Sequence, residues 1–194
     1  MSDIDARRIE AAVTELLIAI GEDPLRDELV QTPRRVAEAW AEFFAGVGVD
    51  ARTALASPLP AEQAGAGSEL VILRGLQFRS MCEHHLLPFM GTAVIGYLPG
   101  PSLAGLGDIA RVLEIVAARP QLQERLGDQV AEVIAESLSA RGVLVVLQAE
   151  HQCVRSRGPR QTGSATVTLA SRGALSDPVR RAEVLTLAGI EDLG

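Results

Sequence analysis

The chain of 194 residues contains no lysine, so all 18 of its cations are arginine. It has only two cysteines and three histidines. No run approaches the ~20 apolar residues of a membrane span, and the opening Met1-Ser2-Asp3-Ile4-Asp5 lacks the basic-then-apolar layout of a secretory signal. These absences point to the cytoplasm and away from a membrane. In that compartment the cysteines are expected to be ligands or free thiols rather than a disulfide. A net charge of −7 argues against general binding to nucleic acid. What is present is an ordinary apolar fraction of 47%, enough for one cored domain with a helical appendage.

The scarce residues are not scattered. All five cysteines and histidines fall in Met81-Cys82-Glu83-His84-His85 and His151-Gln152-Cys153. Cysteine and histidine bind zinc and carry proton-transfer or nucleophilic chemistry near neutral pH. Their concentration in two short runs points to one mononuclear metal site.

Hydrophobic periodicity places those runs. Residues 3–21 repeat in helical fashion, with Ile9, Val13, Leu16, Leu17 and Ile20 on one face and Asp3 or Ser2 as cap. Thr32-Pro33 reads as a cap and first-turn proline of a second helix, with Val36, Ala37, Trp40, Phe43 and Phe44 inward. Residues 1–46 are thus expected to form a helical hairpin. Residues 47–68, rich in Ala, Pro and Gly, read as a linker. Residues 69–194 read as the main domain. It has strands at 69–79 and 87–98, with Gly91 a bulge or close-packing point, and helices at 107–118 and 121–139. Strands at 143–154 and 164–170 and a helix at 178–188 follow. The order β-β-α-α-β-β is an α+β arrangement of antiparallel hairpins with helices on one face, and its open sheet edges invite self-association.

On a strand at 143–154, His151 and Cys153 share a face, while Gln152 points away. Cys82 and His85, three apart, come onto one side of a tight turn, with His84 directed elsewhere. Cys82, His85 and Cys153 then form a three-ligand set with the fourth tetrahedral position open, the mark of a catalytic zinc. His84 and His151 stand beside it as proton-transfer groups. A four-ligand structural zinc that includes His151, and a site with no metal, are the alternatives. Glu83 reads as an acid/base helper, a partner to the site or a solvated carboxylate. The run Arg155-Ser156-Arg157-Gly158-Pro159-Arg160 suits a phosphate, which guanidinium binds bidentately, or else is a solvated loop. Gln123-Glu124 is the kind of amide–carboxylate pair that reads a guanine edge, and equally an ordinary helix surface. A zinc nucleobase deaminase is disfavoured, because its Pro-Cys-x-x-Cys signature is absent. A metal-stabilised scaffold is the non-enzymatic alternative.

Five ordered motifs carry a resemblance. They are Cys82-Glu83-His84-His85, Gly96-Tyr97-Leu98-Pro99, Arg111-Val112-Leu113-Glu114, Arg119-Pro120-Gln121-Leu122-Gln123-Glu124-Arg125-Leu126, and His151-Gln152-Cys153 with Arg157-Gly158. Over about 76–173 the chain resembles the GTP cyclohydrolase I family. The resemblance implies the tunnelling fold, a ring-like homodecamer with sites at subunit boundaries, and Zn2+ on Cys82, His85 and Cys153. It implies proton transfer by His84 and His151, guanine recognition by Gln123 and Glu124, and Arg111, Arg157 and Arg35 toward the phosphates. The implied reaction starts with attack of a metal-activated water on C8 of the guanine of GTP, with His151 protonating the ring nitrogen. Ring opening, formate release and closure to 7,8-dihydroneopterin triphosphate follow.

One departure stands out. Where the family has Gly-Leu-Ser-Lys, this chain has Gly105-Leu106-Gly107-Asp108. Aspartate in place of lysine changes local charge by two units. A like-charge contact at ~4 Å costs about 4 kcal/mol at an effective dielectric of ~20. Pairing of Asp108 with Arg111, one turn on, would blunt that repulsion. The departure suggests a substrate with fewer phosphates, or arrest at the ring-opened formamidopyrimidine, as the alternative to full GTP conversion.

Overall fold

The computed structural model describes residues 4–62 and 69–190. Helix α1 (Ala6–Ala19) is capped by Asp5, whose carboxylate accepts the Arg8 amide hydrogen at 3.0 Å. The cap expected at Asp3 or Ser2 lies outside the described residues. Only Val13 of the expected inward face is buried, and Leu16 and Ile20 are 59% and 66% exposed. The helix leans on α2 (Thr32–Phe43), and a single neighbouring helix is too narrow to cover its whole apolar stripe. Pro33 sits in the first turn of α2 as expected, but the cap position is Gln31 rather than Thr32, with no side-chain capping bond. Trp40 and Phe44 meet edge to face at 5.6 Å.

The stretch read as a linker carries more structure than its composition suggests. A 3-10 turn at Ala51–Leu55 inserts Ala51 and Leu55, both 4% exposed, into the main core. Strand β1 (Leu59–Pro60) then pairs with β4 (Ser102–Leu103). Small apolar residues without a period are enough to pack when a preformed groove receives them.

The main sheet has the order β5-β2-β3-β6-β7. Strands β2 (Val71–Cys82), β3 (Pro88–Leu98), β6 (Gly142–His151) and β7 (Thr166–Gly173) pair antiparallel, giving the expected tunnelling-fold order. The fifth strand was not anticipated. It is β5 (Pro120–Gln121), two residues running parallel to the end of β2. Alternation along β6 divides the interior. Val143, Val145, Leu147 and Ala149 face α3 (Leu106–Ala117) and α4 (Gln123–Leu138), whereas Leu144 and Val146 join Leu175 and Val184 on the other side. The helix pair therefore covers one face, and α6 (Pro178–Leu187) covers part of the second. Each of the fully buried Phe89, Ile95, Ile109, Leu113 and Leu126 contributes about 1.5–3 kcal/mol of transfer free energy. Among the described residues no helix is long and apolar enough to cross a membrane.

Two glycines set the curvature. The register of β2 against β3 shifts between Leu73 and Leu76, where Gly75 takes φ +73. The bulge therefore lies in β2 and not at Gly91. Gly91 is the close-packing point, because a Cβ there would run into the carbonyl oxygen of Gln148 on β6. Strand β6 ends at His151, short of the expected 154, and the chain turns into α5 (Gln152–Arg155).

Gly91→Ala is expected to destabilise the fold by about 3 kcal/mol or more through backbone overpacking. Gly107→Ala, placed where a Cβ meets nothing within 4 Å, should be neutral or stabilising by up to about 1 kcal/mol. Thermal unfolding midpoints of the two variants check this, and equal midpoints would contradict it.

Candidate metal centre

One wall of the site is the β2–β3 connection. Cys82 is the last residue of β2, and its amide donates to the Leu87 carbonyl at 2.9 Å, while the Leu86 amide donates to the Cys82 carbonyl at 2.8 Å. This one-turn loop brings His85 round to the side of Cys82. It also puts Leu86 at φ +50, a left-handed conformation that a branched side chain adopts only at a cost on the order of 1 kcal/mol. The loop is held from below. The Glu83 amide donates to the Gln121 carbonyl on β5 at 3.1 Å, and the Glu83 carboxylate pairs with Arg125 of α4. That guanidinium holds the Glu83 carboxyl below the usual carboxylate range. Arg125 Nε also donates to Gln121 Oε1 at 3.0 Å, and Gln121 Nε2 donates to the Val116 carbonyl and to Gln129 Oε1 at 3.1 and 2.8 Å. Glu83 is therefore an anchor of the turn.

The other wall is the end of β6. His151 lies opposite Phe89 in register, and the two rings stack with centroids 4.7 Å apart and planes 2° from parallel. Cys153 follows in the helical turn α5, so it does not alternate with His151 along a strand as expected. The turn is closed by Ser156, whose amide and hydroxyl both donate to the Gln152 carbonyl at 3.0 and 2.6 Å. The loop folds back through the Gln161 amide on the Val154 carbonyl at 3.1 Å.

These walls converge. The ligand atoms of Cys82, His85 and Cys153 all lie within 4.8 Å of one another, with Cys82 buried, Cys153 half-buried and His85 exposed. Burial, then the neighbouring Cys82 thiol, pushes the Cys153 thiol up, while Arg157 pulls it the other way. Two thiols held together in a half-buried place ionise readily only when a cation joins them. Two sulfurs and one imidazole are the donors that a soft or borderline ion such as zinc prefers, and three protein ligands suit a site that leaves a position open. The residues present fit a metal.

His84 is exposed and meets His85 edge to face, with centroids 6.2 Å apart. His151 Nε2 lies 2.7 Å from Gln123 Oε1. Burial pushes His151 below its ordinary value, opposed by the carboxylate of Glu124. Gln123, 1% exposed, is turned inward. Its amide nitrogen lies 3.0 Å from the Leu147 and Thr166 carbonyls and 3.2 Å from Thr168 Oγ1. Glu124, next along, is exposed and lines a recess of about 550 Å3 with Arg125, Asp128, Thr168 and Leu169. The amide and carboxylate of that pair thus face opposite ways.

The phosphate-side candidates are dispersed. Arg157 is exposed and close enough to act electrostatically on Cys153. Arg111 and Gly107 line a larger cavity of about 1010 Å3 between α2, α3 and the sheet, which none of Cys82, His85 and Cys153 lines. Arg111 pairs with Glu114 at 2.7 Å rather than with Asp108. The Asp108 carboxylate instead folds back over Gly105 at the start of α3. Arg35 is exposed in the first turn of α2, in the hairpin and not among the clustered Cys and His residues. Gln121, Arg125 and Phe89 support the site without belonging to the expected set. The i,i+4 spacing of Gln121 and Arg125 was an available signal, whereas Phe89 needed the strand register.

The fold and the donor cluster define an α+β protein with a candidate metal centre of three protein ligands. The family model for GTP cyclohydrolase I matches residues 9–189, and the chain belongs to that family. Among curated proteins it is 57% identical over 189 residues to GTP cyclohydrolase 1 of Leifsonia xyli subsp. xyli, covering 97% of this chain and 98% of the relative. GTP cyclohydrolase 1 of Rhodopirellula baltica is 51% identical, with 96% of this chain and 80% of the relative covered. That of Halalkalibacterium halodurans is 47% identical, with 96% and 98% covered.

Cys153→Ser is expected to keep its far-ultraviolet circular dichroism while bound zinc falls from about one ion per chain to near none by elemental analysis. Arg125→Met, which frees Glu83 and the turn, should weaken zinc retention about 10- to 100-fold in chelator competition. Unchanged retention in Arg125→Met would show that the turn holds itself.

Proposed function

We propose that this chain opens the imidazole ring of GTP by zinc-dependent hydrolysis at C8, releases formate and forms 7,8-dihydroneopterin triphosphate. The observation that carries this reading is the convergence of Cys82, His85 and Cys153 within 4.8 Å in a chain of this family. A zinc ion held by Cys82, His85 and Cys153 would supply a Lewis acid able to lower the pKa of a bound water. Glu124, exposed at the rim, accepts hydrogen bonds from the guanine edge. His151, stacked on Phe89, passes the proton that the ring nitrogen needs as the C8–N9 bond breaks. His84, exposed at the surface of the turn, serves the second hydrolysis, which releases C8 as formate. Arg157 approaches the phosphates.

The site is completed by a second copy of the chain, within a ring-like homodecamer. This accounts for the separation of Arg111 and Gly107, in their own cavity, from the metal donors, and for the position of Arg35 on the hairpin. The exposed apolar face of α1 supports association of the same kind.

One observation favours a second reading at the phosphate end. Asp108 is an anion over the first turn of α3, and Arg111, its nearest compensation in sequence, is engaged by Glu114. A nucleotide with fewer phosphates, or arrest at the ring-opened formamidopyrimidine, would follow from that charge.

Incubation of the purified protein with GTP, followed by mass spectrometry, is expected to yield formate and dihydroneopterin triphosphate in equal amounts. Accumulation of the open ring without pterin would contradict the main reading and support the second, as would a higher kcat/KM for GDP than for GTP. Glu124→Gln is expected to raise KM for GTP about 10-fold or more by removing a charged acceptor, and an unchanged KM would remove Glu124 from guanine recognition.

A further inference from the structure

Gln123 opens α4, yet it is among the most deeply buried polar side chains described. Its amide nitrogen lies 3.0 Å from two backbone carbonyl oxygens, those of Leu147 on β6 and Thr166 on β7. A carbonyl oxygen can only accept, so both must face the NH2 end of the amide, and the opposite orientation would press oxygen against oxygen. The two hydrogens of Nε2 are thereby committed, with Thr168 Oγ1 at 3.2 Å beside them. This fixes Oε1 as the atom that points to His151 Nε2, 2.7 Å away. An amide oxygen cannot donate, so the partner nitrogen must carry a hydrogen.

We infer that Gln123 is a positioning residue that locks His151 in the Nε2–H tautomer, leaving Nδ1 as the ring nitrogen that takes up and hands over the proton. The lock has three parts. The β6–β7 ladder, with Leu147 opposite Thr168 and Ala149 opposite Thr166, supplies the two carbonyls. Gln123 transmits their orientation. The Phe89 ring, parallel to the imidazole, stops it from turning out of the bond. A proton leaving from Nε2 would cost the bond to Gln123 and strand a buried acceptor. Exchange at Nδ1 leaves that bond in place whether the ring is neutral or charged. The amide of Gln123 is thus spent on the histidine, and guanine recognition falls to Glu124 alone.

The functional half of this inference rests on the proposed GTP chemistry; the tautomer itself does not. Three histidines make nitrogen-15 histidine labelling tractable in the zinc-loaded protein, with His151 assigned by its absence from a His151→Gln sample. Magic-angle-spinning NMR is expected to show His151 with a proton-bearing, pyrrole-type Nε2 and a bare, pyridine-type Nδ1. The reverse pattern in the wild-type protein would overturn the inference, and this measurement needs no folded variant at Gln123. Gln123→Met, close in volume and unable to accept, is expected to lose the single tautomer and drop kcat on the order of 10²-fold. Its zinc content should hold, and its KM for GTP should change less than about 2-fold. A tenfold rise in KM at unchanged kcat would instead put Gln123 back on the guanine and overturn the positioning role. Should the wild-type protein fail to turn over GTP while its spectrum shows the expected tautomer, the proposed function falls and the tautomer assignment stands.

Discussion

The register of three neighbouring strands governs the site. Met81 pairs with Pro88 and Phe89 pairs with His151, so β2 and β6 both terminate at the same rim of the sheet, one on each side of β3. A slip of one residue between β3 and β6 would turn His151 to the opposite face and carry Cys153 with it. That register is strongly specified, because β6 is buried on both faces and its two sets of side chains belong to different clusters. Gly91 adds a second constraint, since only a residue without Cβ permits the backbone of β3 to close on Gln148 at that place. The convergence of donors from residues seventy apart is thus a consequence of core packing.

Two buried glutamines extend that control from backbone to side chains. Gln121 and Gln123 flank Leu122 and are each 1% exposed. Gln121 works toward the turn, through Arg125 to Glu83 and so to Cys82 and His85. Gln123 works toward the strand end, through His151. Every polar atom of these amides that the structure buries has a partner, and an orphaned one would cost about 1–3 kcal/mol. The start of α4 therefore serves as a common footing for both walls. Since the partners are backbone carbonyls and an ion pair, small displacements of α4 would reach Cys82, His85 and His151 together.

Much of this was legible in the sequence, and the remainder fails for identifiable reasons. Apolar runs gave the four long strands, most plainly the β-branched run of β6 that is buried on both faces, and helical periodicity gave the two central helices. The clustering of five scarce residues gave the donor set, and the intervals between motifs gave the family. Two-residue β5 has no period to detect, and it reaches the site through both the backbone carbonyl and the side chain of Gln121. The exit of the chain into α5 was invisible, since Gln152 to Arg155 could equally prolong a strand. The inward turn of Gln123 depends on how closely α4 approaches β6 and β7, which no local pattern encodes. The expected Asp108–Arg111 pair lost to Glu114, an equally well-spaced carboxylate on the same helix.

In the proposed site Cys82, His85 and Cys153, and no other side chain, hold the metal. Zinc X-ray absorption on the purified protein tests this most directly, because sulfur, imidazole and oxygen ligands scatter differently. The expected result is two sulfurs at about 2.3 Å, a single imidazole and one further light atom not from the protein. Two sulfurs with two imidazoles would contradict it, for that result would bind His151 or His84 to the metal and leave no position for chemistry.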